Sequence, residues 1–93
     1  MAKKVSIVIR KEGDTHAVYA NKNYIGHYVS FKRWMQGSPG RAETEHKIYI
    51  STDTEIGRKI IYKHIFDSFY GYSKDDVKDK LKLFLIDNIG LLN

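Results

Sequence analysis

The side chains in this chain best able to move a proton near neutrality are four histidines, at positions 16, 27, 46 and 64. None has a second His, Asp or Glu at a ligand spacing such as i, i+4 on one helix. Glu43 and Glu45 ahead of His46 match no metal pattern. No metal and no cofactor is therefore expected. RNA cleavage needs a base, an acid and a phosphate clamp, and His64 beside Lys63 or His46 beside Lys47 supplies those residue types. A small RNase-type toxin is thus one reading, tested by mutating His64 and His46, but such pairs arise by chance in any basic chain. Gly37-Ser38-Pro39-Gly40 lacks the lysine of a phosphate-binding loop. The main expectation is a protein that is not an enzyme.

Cations interleaved with aromatic rings are the stronger chemical signal. Tyr24, Tyr28, Phe31, Lys32, Arg33 and Trp34 form one patch; Lys47, Tyr49, Arg58, Lys59, Tyr62 and Lys63 form another. Cations neutralise phosphates, and planar side chains stack on bases or reach their edges. The competing reading packs these rings into a core and leaves the lysines solvated, and a lone Trp such as Trp34 is commonly a core or interface anchor. Residues 1–63 carry twelve Lys or Arg against six Asp or Glu, whereas residues 64–93 carry four against five. The positive excess of this +5 chain therefore sits on the expected sheet and its loops.

These residues need elements to hold them. Ninety-three residues make one domain, residues 1–93, at the small end of what buries its own core. Net stability of about 5–10 kcal/mol makes a homodimer a possible partner state. With no cysteine there is no disulfide framework, and an intracellular (cytoplasmic) protein fits best. Val5 to Ile9 is too short for a signal-peptide core, and no apolar run spans a membrane. Alternation of Val5, Ile7 and Ile9 predicts a strand over Lys4–Arg10, turning at Lys11–Asp14 into Thr15–Asn21 and again into Tyr24–Trp34, where Gly26 marks a bulge. Gln36–Glu45, with the only proline, reads as a loop.

His46 opens a further strand. Thr54–Phe69 supports two descriptions: a helix capped by Asp53 or Thr54, or a hairpin turning at Thr54-Glu55-Ile56-Gly57. The hairpin is preferred because Gly57 sits poorly in the first turns of a helix. From Ser73, whose partner Asp76 makes a capping box with a short carboxylate, Val77, Leu81, Phe84 and Leu85 form an inward stripe, and Gly90 is the expected C′ residue. Leu83 and Ile86 fall outside that stripe. The predicted fold is α+β: an antiparallel sheet of four to five strands with a C-terminal helix packed on one face.

The run Thr52-Asp53-Thr54-Glu55-Ile56-Gly57-Arg58-Lys59, followed by Phe69-Tyr70-Gly71-Tyr72-Ser73-Lys74 and the helix, resembles the arm-type DNA-binding domain at the N-terminus of tyrosine recombinases, the integrases of phages and mobile elements. The resemblance covers residues 46–88. It implies that a charged turn joins two strands, that a helix backs a three-stranded sheet laid into the major groove, and that Lys47, Tyr49, Arg58, Lys59 and Lys63 contact DNA. The strands before Tyr24 exceed what such a domain needs, so an accessory protein of a phage or mobile element is expected rather than a recombinase. The expected function is non-enzymatic nucleic-acid binding, with duplex DNA as ligand, by Lys32, Arg33, Arg41, Lys47, Tyr49, Arg58, Lys59 and Lys63. The alternative is a protein-interaction module that binds and inhibits or adapts a host protein machine through Trp34, Met35, Leu83 and Ile86.

Overall fold

A computed structural model describes residues 4–34 and 42–92, with the backbone alone at 33, 34 and 42. Five strands form one antiparallel sheet in chain order: β1 Ile7–Glu12, β2 Thr15–Ala20, β3 Asn23–Trp34, β4 Ala42–Ile50 and β5 Ser68–Gly71. Helix α1, Glu55–His64, lies between β4 and β5 in the chain; α2, Lys74–Asp87, follows β5, and a 3-10 turn spans Ile89–Leu92. The predicted α+β class, sheet and C-terminal helix are all present.

The first three strands are joined as their turn residues dictate. Asn21 and Lys22 both have positive φ, 49° and 71°, which matches the twist of a two-residue hairpin. Asn21 also holds the chain ahead of β1: its Oδ1 accepts from the Ser6 N–H at 2.8 Å and its Nδ2 donates to the Lys4 carbonyl at 3.3 Å. The ladder itself therefore starts at Ile7, not at Lys4. Between β2 and β3 the register passes from Val18↔Gly26 to Tyr19↔Tyr24, leaving Ile25 as the extra residue of the bulge expected at Gly26. A side chain at Gly26 would stand 1.9 Å from the Tyr49 carbonyl oxygen, so the β3–β4 approach depends on its absence.

The region 54–69 corrects the preferred hairpin. Residues 55–64 are helical, and Thr54, in extended conformation, accepts from the Gly57 N–H at 2.9 Å. Glu55 in the first turn and Lys63 and His64 in the last complement the helix dipole. Ile56, Ile60 and Ile61 turn towards the core while Tyr62 stays outside. The chain leaves α1 through Ile65 at φ 77°, whose N–H donates to the Ile61 carbonyl at 2.7 Å. A β-branched residue in this left-handed region carries strain of about 1–2 kcal/mol. Ile65 is 81% exposed, so it recovers little by burial. Ile65→Gly is expected to raise the melting temperature by a few degrees, about 1 kcal/mol after the entropy cost of glycine; a thermal melt that falls instead would show that Ile65 makes a stabilising contact.

In α2 the Ser73 hydroxyl accepts from the Asp76 N–H at 3.0 Å, and the short Asp76 carboxylate reaches back to the Tyr72 N–H at 2.8 Å. That backbone hydrogen bond, with Lys80 3.3 Å away, holds the Asp76 carboxyl below its ordinary range. The helix ends at Asp87 with Asn88 as cap, its side chain donating to the Phe84 carbonyl at 2.9 Å. Gly90 is therefore not the C′ residue but part of the terminal 3-10 turn, because Asn88 satisfies the exposed carbonyl first. Val77, Leu81 and Leu85 are fully buried and meet Ile25, Ile48, Ile60 and Phe69 in one core, each contributing about 1.5–3 kcal/mol. Among the described residues no helix is long and apolar enough to cross a membrane.

Candidate nucleic-acid interface

Both helices cover the same side of the sheet, because the residues they bury against share one strand parity: Ile7, Val18, Tyr28, Ile48 and Phe69. The opposite parity faces away from the helices. There Lys47 stands between two rings, its Nζ 4.6 Å from the Tyr49 centroid and 4.5 Å from that of Tyr70 on the neighbouring strand. The Tyr49 and Tyr70 hydroxyls beside it raise the Lys47 pKa, so its charge persists through neutral and alkaline pH. In return Lys47, and then Ser68, lower the Tyr70 phenol.

The arrangement continues across the face. His27 stacks on Tyr49, with ring centroids 5.3 Å apart and planes 26° apart. Tyr24 meets Tyr19 edge-on at 5.9 Å, and the Arg10 guanidinium lies 5.7 Å over the Tyr19 ring. Two depressions flank the Tyr24–His27 pair. One, of about 530 Å³, is bounded by Tyr49, Asp53 and Asp67; the other, of about 270 Å³, by Glu12, Thr15 and Ala17. Acidic groups are present too: Glu12 accepts from the Tyr19 hydroxyl at 2.7 Å, which raises the Tyr19 pKa, and Glu45 and Glu43 follow Lys47 on the same parity of β4.

β3 and β4 continue beyond their neighbours as a two-stranded arm. Pairing with β2 reaches His16↔Tyr28 and pairing with β5 reaches His46↔Gly71, whereas β3 and β4 stay paired to Trp34↔Ala42. The arm thus takes in Glu43–Glu45, which were expected to be loop. Lys32 is exposed on it, opposite Thr44; Arg33 is opposite Glu43 on the parity of Lys47. Arg41 and Met35, named from sequence, lie outside the described residues.

Arg58, Lys59 and Lys63 do not share the surface of Lys47 and Tyr49, because the segment that carries them is helix and lies on the covered side. The charged run read as a turn between two strands is the cap and first turns of α1. Lys59 pairs with Glu55 at 3.5 Å, and the Arg58 guanidinium donates to the Thr52 carbonyl at 2.9 Å. Beside them Tyr62, Ile65 and Phe66 are exposed, as are Leu83 and Ile86 on α2. Ile86 lines a groove of about 570 Å³ with Lys4, Lys78 and Lys82.

The histidines named for RNA cleavage are engaged in packing. His64 stacks on Phe69 at 4.0 Å and meets Phe84 edge-on at 5.1 Å, and the His46 Nδ1 is 2.7 Å from the Tyr28 hydroxyl. Among the described residues no three His, Asp or Glu side chains stand together as metal ligands. Tyr70, which flanks Lys47, was not among the site residues named from sequence, and His27 was named only as a phosphate contact. Once Ile48 and Phe69 are recognised as core, strand alternation alone puts Lys47, Tyr49 and Tyr70 on the other side. Compared with known proteins, the chain matches no family model, no curated protein and no solved structure.

Proposed function

We propose that this chain is a non-enzymatic nucleic-acid-binding domain acting inside the cell, and that the helix-free face of its sheet, with the arm extending from it, is the binding surface. The observation that carries this reading is the Lys47 ammonium held between Tyr49 and Tyr70, beside the stacked His27. A fixed cation neutralises a phosphate while neighbouring rings offer stacking surface to bases, and Arg10 extends the positive charge on the same face. Binding then weakens as salt rises, because each phosphate neutralised releases condensed counterions. Lys47→Glu is expected to lower affinity about tenfold or more in a low-salt titration. Arg58→Glu with Lys59→Glu, on the covered side, changes it less. Equal losses from both variants would mean that only diffuse charge is being measured.

A second reading, a protein-interaction module that adapts or inhibits a host machine, is favoured by a different observation. Tyr62 is 89% exposed next to the strained Ile65, and Leu83 is 62% exposed on α2. Solvent-facing apolar residues grouped on one side suit a protein partner. Salt-insensitive behaviour with nucleic acid, together with defined association through that side, would favour this reading.

A further inference from the structure

We infer that the ligand of the helix-free face is an unpaired strand of nucleic acid rather than a duplex, an inference that rests on the reading above. Width is the first argument. Five strands at a spacing of ~4.8 Å make a face about 19 Å across. The major groove of duplex DNA is about 12 Å wide and admits two strands, not five. The full five-stranded face is therefore too wide for the groove, and the two-stranded arm is the part whose width matches it. Among the described residues of that arm the formal charges of Lys32 and Arg33 are matched by those of Glu43 and Glu45, so they offer a duplex no net attraction.

Ring placement is the second argument. Bases within a duplex are stacked on each other and show proteins only their edges, whereas unpaired bases offer their planes. The face carries rings: Tyr24, His27, Tyr49 and Tyr70 come from three adjacent strands, Tyr24 and Tyr70 are exposed, and a depression lies on either side of the Tyr24–His27 pair. Along β4 the Lys47 cation stands between acidic groups, Glu45 on its arm side and a carboxylate pair beyond Tyr49. Lys47 lies between Tyr49 and Tyr70, while Asp53 and Asp67 bound the larger depression on the other side of Tyr49. Carboxylates repel phosphates but accept from the amino groups of bases. The backbone of the strand accordingly runs along Lys47, with its bases turned towards Tyr49, His27 and Tyr24.

The test is a fluorescence-anisotropy titration of the full chain at low salt, using a labelled mixed-sequence DNA oligonucleotide of about 15 nucleotides, the same length of RNA, and the duplex made with the complementary DNA. The single strands are expected to bind at least about tenfold tighter than the duplex. Tyr49→Leu is expected to weaken single-strand binding about tenfold, whereas Tyr49→Phe, which keeps the ring, retains most of it. A thermal melt of both variants separates lost contact from lost fold. Duplex binding that equals or exceeds single-strand binding overturns this inference and leaves the nucleic-acid reading intact. No binding of any probe overturns both. Wild-type affinity in a folded Tyr49→Leu variant removes this face as the site.

Discussion

Leu81→Ala is expected to destabilise the domain by about 3–4 kcal/mol, lowering the melting temperature by roughly 15–25 °C, while Leu83→Ala two residues away stays within about 0.5 kcal/mol of the parent. Leu81 is fully enclosed at the centre of the stripe that α2 presents to the sheet, whereas Leu83 is mostly in water. The truncated side chain leaves a void that Val77, Leu85, Ile48 and Phe69 can close only by moving backbone, because the interior is packed at crystal-like density. For a domain with a total of about 5–10 kcal/mol this is a large fraction. Thermal melts of the two variants check it directly. Equal losses would mean that the helix is rotated about its axis from the orientation described.

Gly57→Ala should also lower stability, by about 2 kcal/mol, or roughly 10 °C, although helix propensity alone predicts a gain of about 1 kcal/mol. A β-carbon at position 57 would stand 1.9 Å from the Ser51 carbonyl oxygen and 2.7 Å from the Thr54 hydroxyl. One is backbone at the end of β4 and the other is the cap that starts α1, so neither can yield without moving the helix off the sheet. Overpacking of this kind costs about 1–3 kcal/mol, occasionally more. A variant that melts above the parent would show that propensity governs this helix and that the close approach relaxes without cost.

Gly57 also explains where sequence reading went astray. Glycine in the first turn of a segment rich in Ile and Tyr argued for a hairpin, and a single chain carries no sign that Ser51 will pass so close. Here the residue that weakens the helix locally is the one that allows it to dock. The α2 stripe was legible because Val77, Leu81, Phe84 and Leu85 repeat at helical spacing behind a recognisable Ser73–Asp76 cap. The first three strands were legible from alternation and from the turn-forming cluster Asn21, Lys22 and Asn23. With 54–69 read as a hairpin, β5 was lost, and Tyr70 with it. Lys47 and Tyr49 do share the helix-free side of β4, but Arg58, Lys59 and Lys63 were assigned to that side only through the hairpin. Their helical placement removes them from it.

Strand order has a kinetic consequence. Neighbouring strands are always consecutive in the chain, so most pairings close short loops and contact order stays low. β4 and β5 are the exception, since residues 51–67 intervene. Closing that span costs about 2 kcal/mol more in chain entropy than the two-residue turn between β2 and β3. β5 is short and forms an edge, and although Phe69 anchors it in the core it is expected to join the ladder last. Tyr70 rides on that strand. The second wall around the Lys47 ammonium is thus built by the last part of the sheet to arrive, and a ligand gripping both tyrosines would slow amide exchange at 68–71 before it did so anywhere else.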